Sequence, residues 1–483
     1  MNNLLTRYLQ RQLVTGVAQM RSKTIDHRGN TLPTRTIIVV LQKYVRDFLE
    51  GKPSARRWVV VPGLRGVGKT TTLAQQYLQI HQQIGDKVHL LYVSLDEVVE
   101  KIGANLSELI DEYERLLPDG SFESTEKPVF LFIDEVQVDE KWARTLKFLY
   151  DRVPNVFIFC SGSSATHLQI DADVDGRRAV VEKLYPLSFT EFQVLLHDTY
   201  PQKGLKAQLR SAIYGSSSAK EAYEQLTKLK DNVDRQWTTF RRNEVKRYLA
   251  TGTIPFTLHE QDERQVYAAI SGMVDKIVSL DMQSLNQFDS DSIGAMKQML
   301  MILSDSDAIP LRKLEGMLPV SYPQVVNILD AFVKAELLIK IPAQGNNVAA
   351  TTNPSRYFFM SPAIRAAFHD IVGIPGTLET RRGMLLEDAA ALHFYKEFIA
   401  KRSGSVTHPY DKDGGQCDFI VRIDNQLQIP IEFGLGNKDF RQVESTLRKY
   451  GGNYGIVFSS SPELSINSEE TVVKVPLDYF YLM

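Results

Sequence analysis

The chain has 483 residues, 43% apolar and 24% charged, which is ordinary for a globular protein and too long for one compact core; at ~100–200 residues per domain, about three domains are expected. Lys plus Arg number 56 and Asp plus Glu 58, a net charge of −2, so there is no global electrostatic case for a nucleic-acid or anionic-membrane partner. Cys160 and Cys417 are the only cysteines and fall in no CxxC pattern, which argues against a disulfide framework or zinc site and for a cytoplasmic protein. No run approaches the ~20 apolar residues of a membrane span.

In chain order, MNNLLTRYLQRQL lacks a signal-peptide pattern and reads as a short amphipathic helix. Residues 1–57 are helical in pattern, with a polar break at HRGNTLPTR before a second helix, TIIVVLQKYVRDFLEG. WVVVPG suits a buried strand, and TTTLAQQYLQIHQQIG a helix closed by Gly85. KVHLLYVSLD, KPVFLFIDE and NVFIFCSGSS are three more buried-strand runs separated by helical segments. That alternation predicts an α/β fold, a parallel sheet covered on both faces. From about 187 to 290 the sequence is polar and helix-rich, with SAIYGSSSAKEAYEQ reading as a flexible insertion. Residues from about 291 to 375 give three helices and two short strands (LLIKIP and RYFFM), the order of a winged helix-turn-helix. The last stretch opens with RRGMLLEDAAALHFYKEFIA; CDFIVRID, LQIPIEFG, YGIVFSS and VVKVPL then read as strands around a helix at FRQVESTLRKYG.

Gly63-Leu64-Arg65-Gly66-Val67-Gly68-Lys69-Thr70 fits G-x-x-x-x-G-K-[ST], a P-loop, between the strand and helix that the motif requires. The backbone at Gly63, Gly66, Val67 and Gly68, continuing through Thr71, forms a nest for phosphate at a helix N-terminus. Lys69 reaches the β- and γ-phosphates, and Thr70 ligands Mg²⁺, so ATP with Mg²⁺ is the expected ligand. Arg65 reads as a surface residue. The run PVFLFIDE ends in two carboxylates: Asp134, which supports the metal, and Glu135, which polarises the attacking water. Ser161 and Ser163 emerge from the carboxyl end of the next strand, where ligands sit in open parallel sheets. Ser161 can orient the water or sense the γ-phosphate, and either serine can equally close a turn. Arg177, in Gly176-Arg177-Arg178, is either an arginine finger or a loop residue paired with the acids of DADVDG.

Together, GLRGVGKTT, FLFIDEVQ, FCSGSSA, Gly176-Arg177 and YPLSFTEF resemble a group of prokaryotic AAA-type ATPases similar to the STAND and archaeal ATPases. YLATGTIPF resembles that family's Y-L-x-x-G-G-x-P segment, with Thr253 where glycine is usual; RYFFMSPAIRAAF and GMLLEDAAALHFY resemble its later segments. The resemblance implies an ATPase core with N-terminal helices over 1–190, a helical lid over 191–290, a winged helix over 291–375 and a domain related to PD-(D/E)XK nucleases over 376–483. It also implies that Arg177 acts on the nucleotide.

Nucleases of that type hold metal with an acid on a first helix, Asp at one strand end and E-x-K on the next strand. Glu387, Asp418 and Glu432 stand in that order, but Glu432-Phe433-Gly434 has glycine in place of the lysine, for which Lys438 is the candidate substitute. Gln442 and Lys449 can touch a phosphate backbone or simply face solvent. The winged-helix candidate offers Gln324 and Asn327 for base edges but few cations. The reading is thus an Mg²⁺-dependent ATPase coupled to DNA processing or defence; the alternative is a nucleotide-switched scaffold with an inactive nuclease-like domain. DNA and a second copy of the chain are candidate partners; a membrane is not.

Overall fold

The computed structural model describes residues 3–26, 28–163, 178–282, 288, 290–306, 309–345, 353–372, 378–410, 415–424 and 426–483. The chain forms two compact units, residues 1–185 and 186–483.

The first unit is built on β1 (Trp58–Pro62), β2 (His89–Ser94), β3 (Val129–Asp134), β4 (Val156–Gly162) and β5 (Val180–Val181), all parallel in the order β2-β3-β4-β1-β5. Because both faces of a parallel sheet are covered, its strands are apolar throughout rather than alternating. β3 and β4 are buried at every position. On one face Phe130, Phe132, Phe157 and Phe159 stack with centroids 4.7–5.5 Å apart. On the other, Leu131, Ile133, Ile158 and Cys160 join Trp58, Trp142 and Leu146 in one cluster. Helix α1 (Asn3–Ser22) lies along edge strand β2: Leu5 and Leu9 enter that cluster, and the Tyr8 hydroxyl accepts a bond from the Ser94 amide. α2 (Ile37–Leu49) and α3 (Lys69–Ile84) follow, with Gly85 ending α3 at φ 62°. β5 is only two residues long, Val180–Val181, too short for a sequence pattern to show it.

The second unit begins with helices. SAIYGSSSAKEAYEQ, expected as a flexible insertion, is instead the junction of two helices, Leu205–Tyr214 and Ala219–Thr239. Ser218 caps the second by accepting from the Glu221 amide, so the serine run is capping chemistry rather than a linker. Three further helices, Ser290–Asp305, Leu311–Met317 and Tyr322–Lys334, precede an antiparallel pair, β6 (Leu338–Ile341) and β7 (Arg356–Phe359). Arg365 joins this region to helix Leu378–Phe394 through a two-pronged pair with Asp388, at 2.6 and 2.8 Å, both fully buried. The last sheet contains β8 (Gly404–Thr407), β9 (Phe419–Ile423), β10 (Leu427–Gly434), β11 (Gly455–Ser459), β12 (Ser465–Ile466) and β13 (Val472–Pro476), ordered β12-β13-β11-β10-β9-β8. β10, β11 and β13 are parallel; the others run antiparallel. Thr253 needs no glycine at its place: its φ is −84°, and its buried hydroxyl shares a 2.6 Å bond with that of Ser361.

Candidate functional site

The loop from Gly63 to Lys69 joins the carboxyl end of β1 to α3. All three of its glycines are required by geometry. Gly68 has φ 92°, in the left-handed region, and a Cβ on Gly63 would meet the Leu184 carbonyl oxygen at 2.2 Å. Gly66, between them in the turn, has φ 79° and is left-handed as well. Val67 is fully buried, and its carbonyl accepts from the guanidinium of Arg35 at 2.9 Å. Arg35 comes from the polar break before α2, which the sequence reading passed over. Gln75 holds the same break through the carbonyls of Leu32 and Pro33. Lys69 is 6% exposed, and its ammonium donates to the carbonyls of Gly63 and Leu64 at 3.0 and 3.3 Å. Thr70 and Thr71 follow on the first turn of α3, and Arg65 is half-buried.

Asp134 ends β3 and is 2% exposed. Its Oδ2 accepts from the Thr70 hydroxyl at 2.6 Å and the Tyr92 hydroxyl at 3.0 Å. Its Oδ1 accepts from the Ser161 hydroxyl and, at 3.2 Å, from the Glu135 amide. Every one of these donors is neutral. Burial, and then the charge of Asp134, push the Tyr92 hydroxyl well above its ordinary range, so it remains a donor. Glu135 follows at φ 55°, ψ 45°, a left-handed conformation that a non-glycine residue adopts only under constraint. Its carboxylate accepts from Gln137 Nε2. Gln137 Oε1 in turn accepts from the Ser163 amide at 3.2 Å. Arg177 lies outside the described residues; its neighbour Arg178 pairs with Asp151 at 2.7 Å.

The acids of the second unit also come together. Arg356, on β7, donates to Glu387 at 2.8 Å and lies 3.9 Å from an Asp418 oxygen. The other Asp418 oxygen accepts from the Phe433 amide at 2.8 Å. Lys438 donates to Glu432 at 2.7 Å, and its stem fills the space over Gly434, where a Cβ would meet its carbons at 2.2–2.8 Å. The sequence reading found all of these except Arg356. Burial and the charge of Glu432 push Asp418 up to about 7, and burial raises Glu432 as well. Among the described residues no group of three or more His, Cys, Asp or Glu side chains is arranged to hold a metal ion. Gln442 takes a 3.4 Å bond from Lys438, and Gln324 is occupied capping its own helix at Ser321. No helix among the described residues is long and apolar enough to cross a membrane.

Comparison with known proteins bears on the stretch that holds the first of these two sites. Residues 55–193 match the model of an AAA domain, so this stretch carries an AAA-type ATPase domain. The chain is 28% identical over 446 residues to an uncharacterized protein of Methanocaldococcus jannaschii, covering 92% of this chain and 88% of that one. Among solved structures, a Walker-type ATPase of Pyrococcus abyssi matches over 68% of this chain and 95% of its own, at TM-score 0.40 and 13% identity. The Aeropyrum pernix ORC1 protein, solved in complex with DNA, matches over 73% and 96% at TM-score 0.32 and 12% identity. DnaA from Aquifex aeolicus, solved with AMPPCP, matches over 64% and 90% at TM-score 0.28 and 14% identity.

Proposed function

We propose that this chain hydrolyses ATP at the P-loop, with Lys69 on the phosphates, Thr70 and Asp134 holding Mg²⁺, and Glu135 as the base. One observation carries the reading: Asp134 is buried on four neutral donors, with the Thr70 hydroxyl 2.6 Å from its carboxylate. A buried carboxylate that meets only neutral donors among the described residues is open to a cation, and a hydroxyl beside it completes an oxygen pair suited to a hard cation. Bound Mg²⁺ would supply neutralisation of phosphate charge. The chain does the rest. Lys69 and the loop amides orient the triphosphate. Glu135 takes a proton from water as the water oxygen bonds to the γ-phosphorus, the bond to the β–γ bridging oxygen breaks, and ADP leaves. Ser161 orients the Asp134 carboxylate, and Arg177 is assigned to the developing charge. Phosphate release should require Mg²⁺ and fall by about 100-fold or more in Glu135→Gln with ATP binding retained. If that variant turns over ATP at the native rate, Glu135 is not the base.

For residues 376–483 the ion pairs favour the second reading, a nuclease-like fold that works as part of a nucleotide-switched scaffold. Arg356 is bonded to Glu387 and lies 3.9 Å from Asp418, acids that a metal would need, so the cluster as it stands does not fit a metal. DNA processing, with DNA as partner and the helices before β6 as a winged helix, predicts the opposite behaviour. It requires cleavage of duplex or single-stranded DNA with Mg²⁺ or Mn²⁺, lost in Asp418→Ala. The scaffold reading requires no cleavage and ATP-dependent homo-oligomers.

A further inference from the structure

The three parallel strands of the last sheet end level with one another: register pairs Gly434 of β10 with Ser459 of β11, and Ser459 with Pro476 of β13. Ligands in parallel sheets collect beyond the carboxyl ends of the strands. Beyond these three lies a cavity of 570 Å³, within the range of roughly 300–1,000 Å³ that small-molecule sites occupy. Leu435, Ser460 and Leu477, each the residue next after a strand end, line it together with Val233, Val245 and Leu249 from the helices that precede the sheet. The carboxylate cluster faces the other side of the sheet. Glu432 pairs with Val457, which clusters with Val443 of helix Arg441–Tyr450. Phe433, the next residue, points the opposite way. It stacks on Phe458 at 4.9 Å and meets Phe480 of the last helix, Leu477–Tyr481. That last helix supplies Asp478, Tyr479 and Tyr481 to the cavity, and none of Glu387, Asp418, Glu432 and Lys438 lines it. Charge around the cavity is one-sided: Lys230, Arg242, Lys246 and Arg382 stand against Asp234 and Asp478. Both acids are already matched, Asp234 by Lys230 at 2.8 Å and Asp478 by Arg242 at 2.7 Å. Lys246 is exposed and has no hydrogen-bond or ion-pair partner among the described residues. Arg242 is held in place, its guanidinium 5.0 Å from the centre of the Trp237 ring, while Trp237 donates to the Asp478 carbonyl at 3.2 Å. One carboxylate uses only part of an arginine's five-donor fork, which leaves donors for a second anion. Away from these cations the lining is buried and apolar at Val233, Leu249 and Leu477. Burial, and then the charges of Asp234 and Asp478, push the Tyr479 hydroxyl up to about 12, so it stays a donor.

We propose that this cavity binds a small anionic ligand, its phosphate or carboxylate head on Lys246 and Arg242 and its apolar body over Leu249, Leu477 and Tyr479. It contains no residue of the P-loop and none of the carboxylate cluster, so it is a further ligand site on the chain, independent of ATP hydrolysis. The excess of cations selects the head, and the apolar lining selects against a bare inorganic anion.

The test is isothermal titration of the full chain with two anionic probes, AMP and octanoate, and with their neutral counterparts, adenosine and octanol. The native chain is compared with Lys246→Glu, Leu435→Trp and Lys69→Ala. Lys246 and Leu435 are exposed, so neither replacement reaches the core, and an unchanged Tm checks the fold of each. At least one anionic probe should bind the native chain, and more tightly than its neutral counterpart. Lys246→Glu should weaken that binding by about 10-fold or more, the scale of one lost bond to a charged group. Leu435→Trp should weaken it by filling the cavity, and Lys69→Ala should leave it unchanged. Binding of AMP alone would assign the site to a phosphate on a planar body, and binding of octanoate alone to a carboxylate on an aliphatic chain. Binding lost in Lys69→Ala would put the probe in the P-loop instead. That result overturns the site, as do equal affinity for the neutral counterparts, indifference to Lys246→Glu, or no binding of either anionic probe.

Discussion

The two carboxylate clusters of this protein use similar residues to opposite ends. In residues 1–185, Asp134 is surrounded by the hydroxyls of Thr70, Tyr92 and Ser161 and one backbone amide, while Lys69 is turned aside onto carbonyls. In residues 186–483, Glu387 is bonded to Arg356 and Glu432 to Lys438. Neutral donors satisfy a carboxylate geometrically and leave its charge to attract a cation; cationic donors satisfy both at once. The first carboxylate meets only neutral donors among the described residues, whereas the second cluster already holds two cations among its three acids. Asp418, which has the weaker hold on Arg356, is the acid pushed up to about 7.

Three substitutions can break or sharpen that contrast. The largest effect is expected at the first site: Asp134→Ala should cut ATP turnover by about 100-fold or more, and extra Mg²⁺ should not restore it. Turnover near the native rate would mean that Asp134 is merely a strand-end residue. Next comes Tyr92→Phe, which removes one neutral donor and keeps the ring. It should raise the Mg²⁺ concentration for half-maximal turnover by about 3–10-fold, in line with one lost bond to a charged group, and leave ATP binding without Mg²⁺ unchanged. Equal Mg²⁺ dependence in the two proteins would remove Tyr92 from the site.

The smallest effect lies in the second cluster. A carboxyl raised in the folded state binds a proton that the unfolded chain has released, so folding loses stability as pH climbs from the ordinary Asp range through about 7. Asp418→Asn, which can still accept from the Phe433 amide, should therefore melt higher than the native chain at pH 8 and almost equally at pH 4. The expected gain at pH 8 is about 1 kcal/mol or a few degrees in Tm. A variant that melts lower at pH 8 would show that Asp418 is held ionised by Arg356.

What could be read from the sequence follows the range of the interactions. The P-loop and the pair Asp134-Glu135 are local: their chemistry is written in consecutive residues, and the flanking apolar runs give the strand and helix that place them. Glu387, Asp418 and Glu432 were also found in order, because each sits at an element whose pattern is plain. The residues that finish each site come from elsewhere. Tyr92 reaches Asp134 from the neighbouring strand, where register pairs Ser94 rather than Tyr92 with it. Arg35 reaches Val67 from 32 residues upstream, and Arg356 reaches Asp418 from 62 residues upstream. No periodicity signals such partners. Gln137 was in view within FLFIDEVQ, but its bonds to Glu135 and the Ser163 amide depend on where β4 ends. The serine run at 216–218 misled because hydroxyl residues favour both loops and helix caps, and only the following helix decides between them.

The margins of the first sheet have a consequence for assembly. β2 lies under α1, and β5 is two residues long. An outer strand left bare is a template on which another chain can crystallise, turn by turn, into fibres; one strand roofed by a helix and another too brief to seed pairing remove that invitation. Strand-to-strand pairing of two chains along the margins of this sheet is therefore disfavoured, and side chains on its helices and loops are the surfaces left for contact.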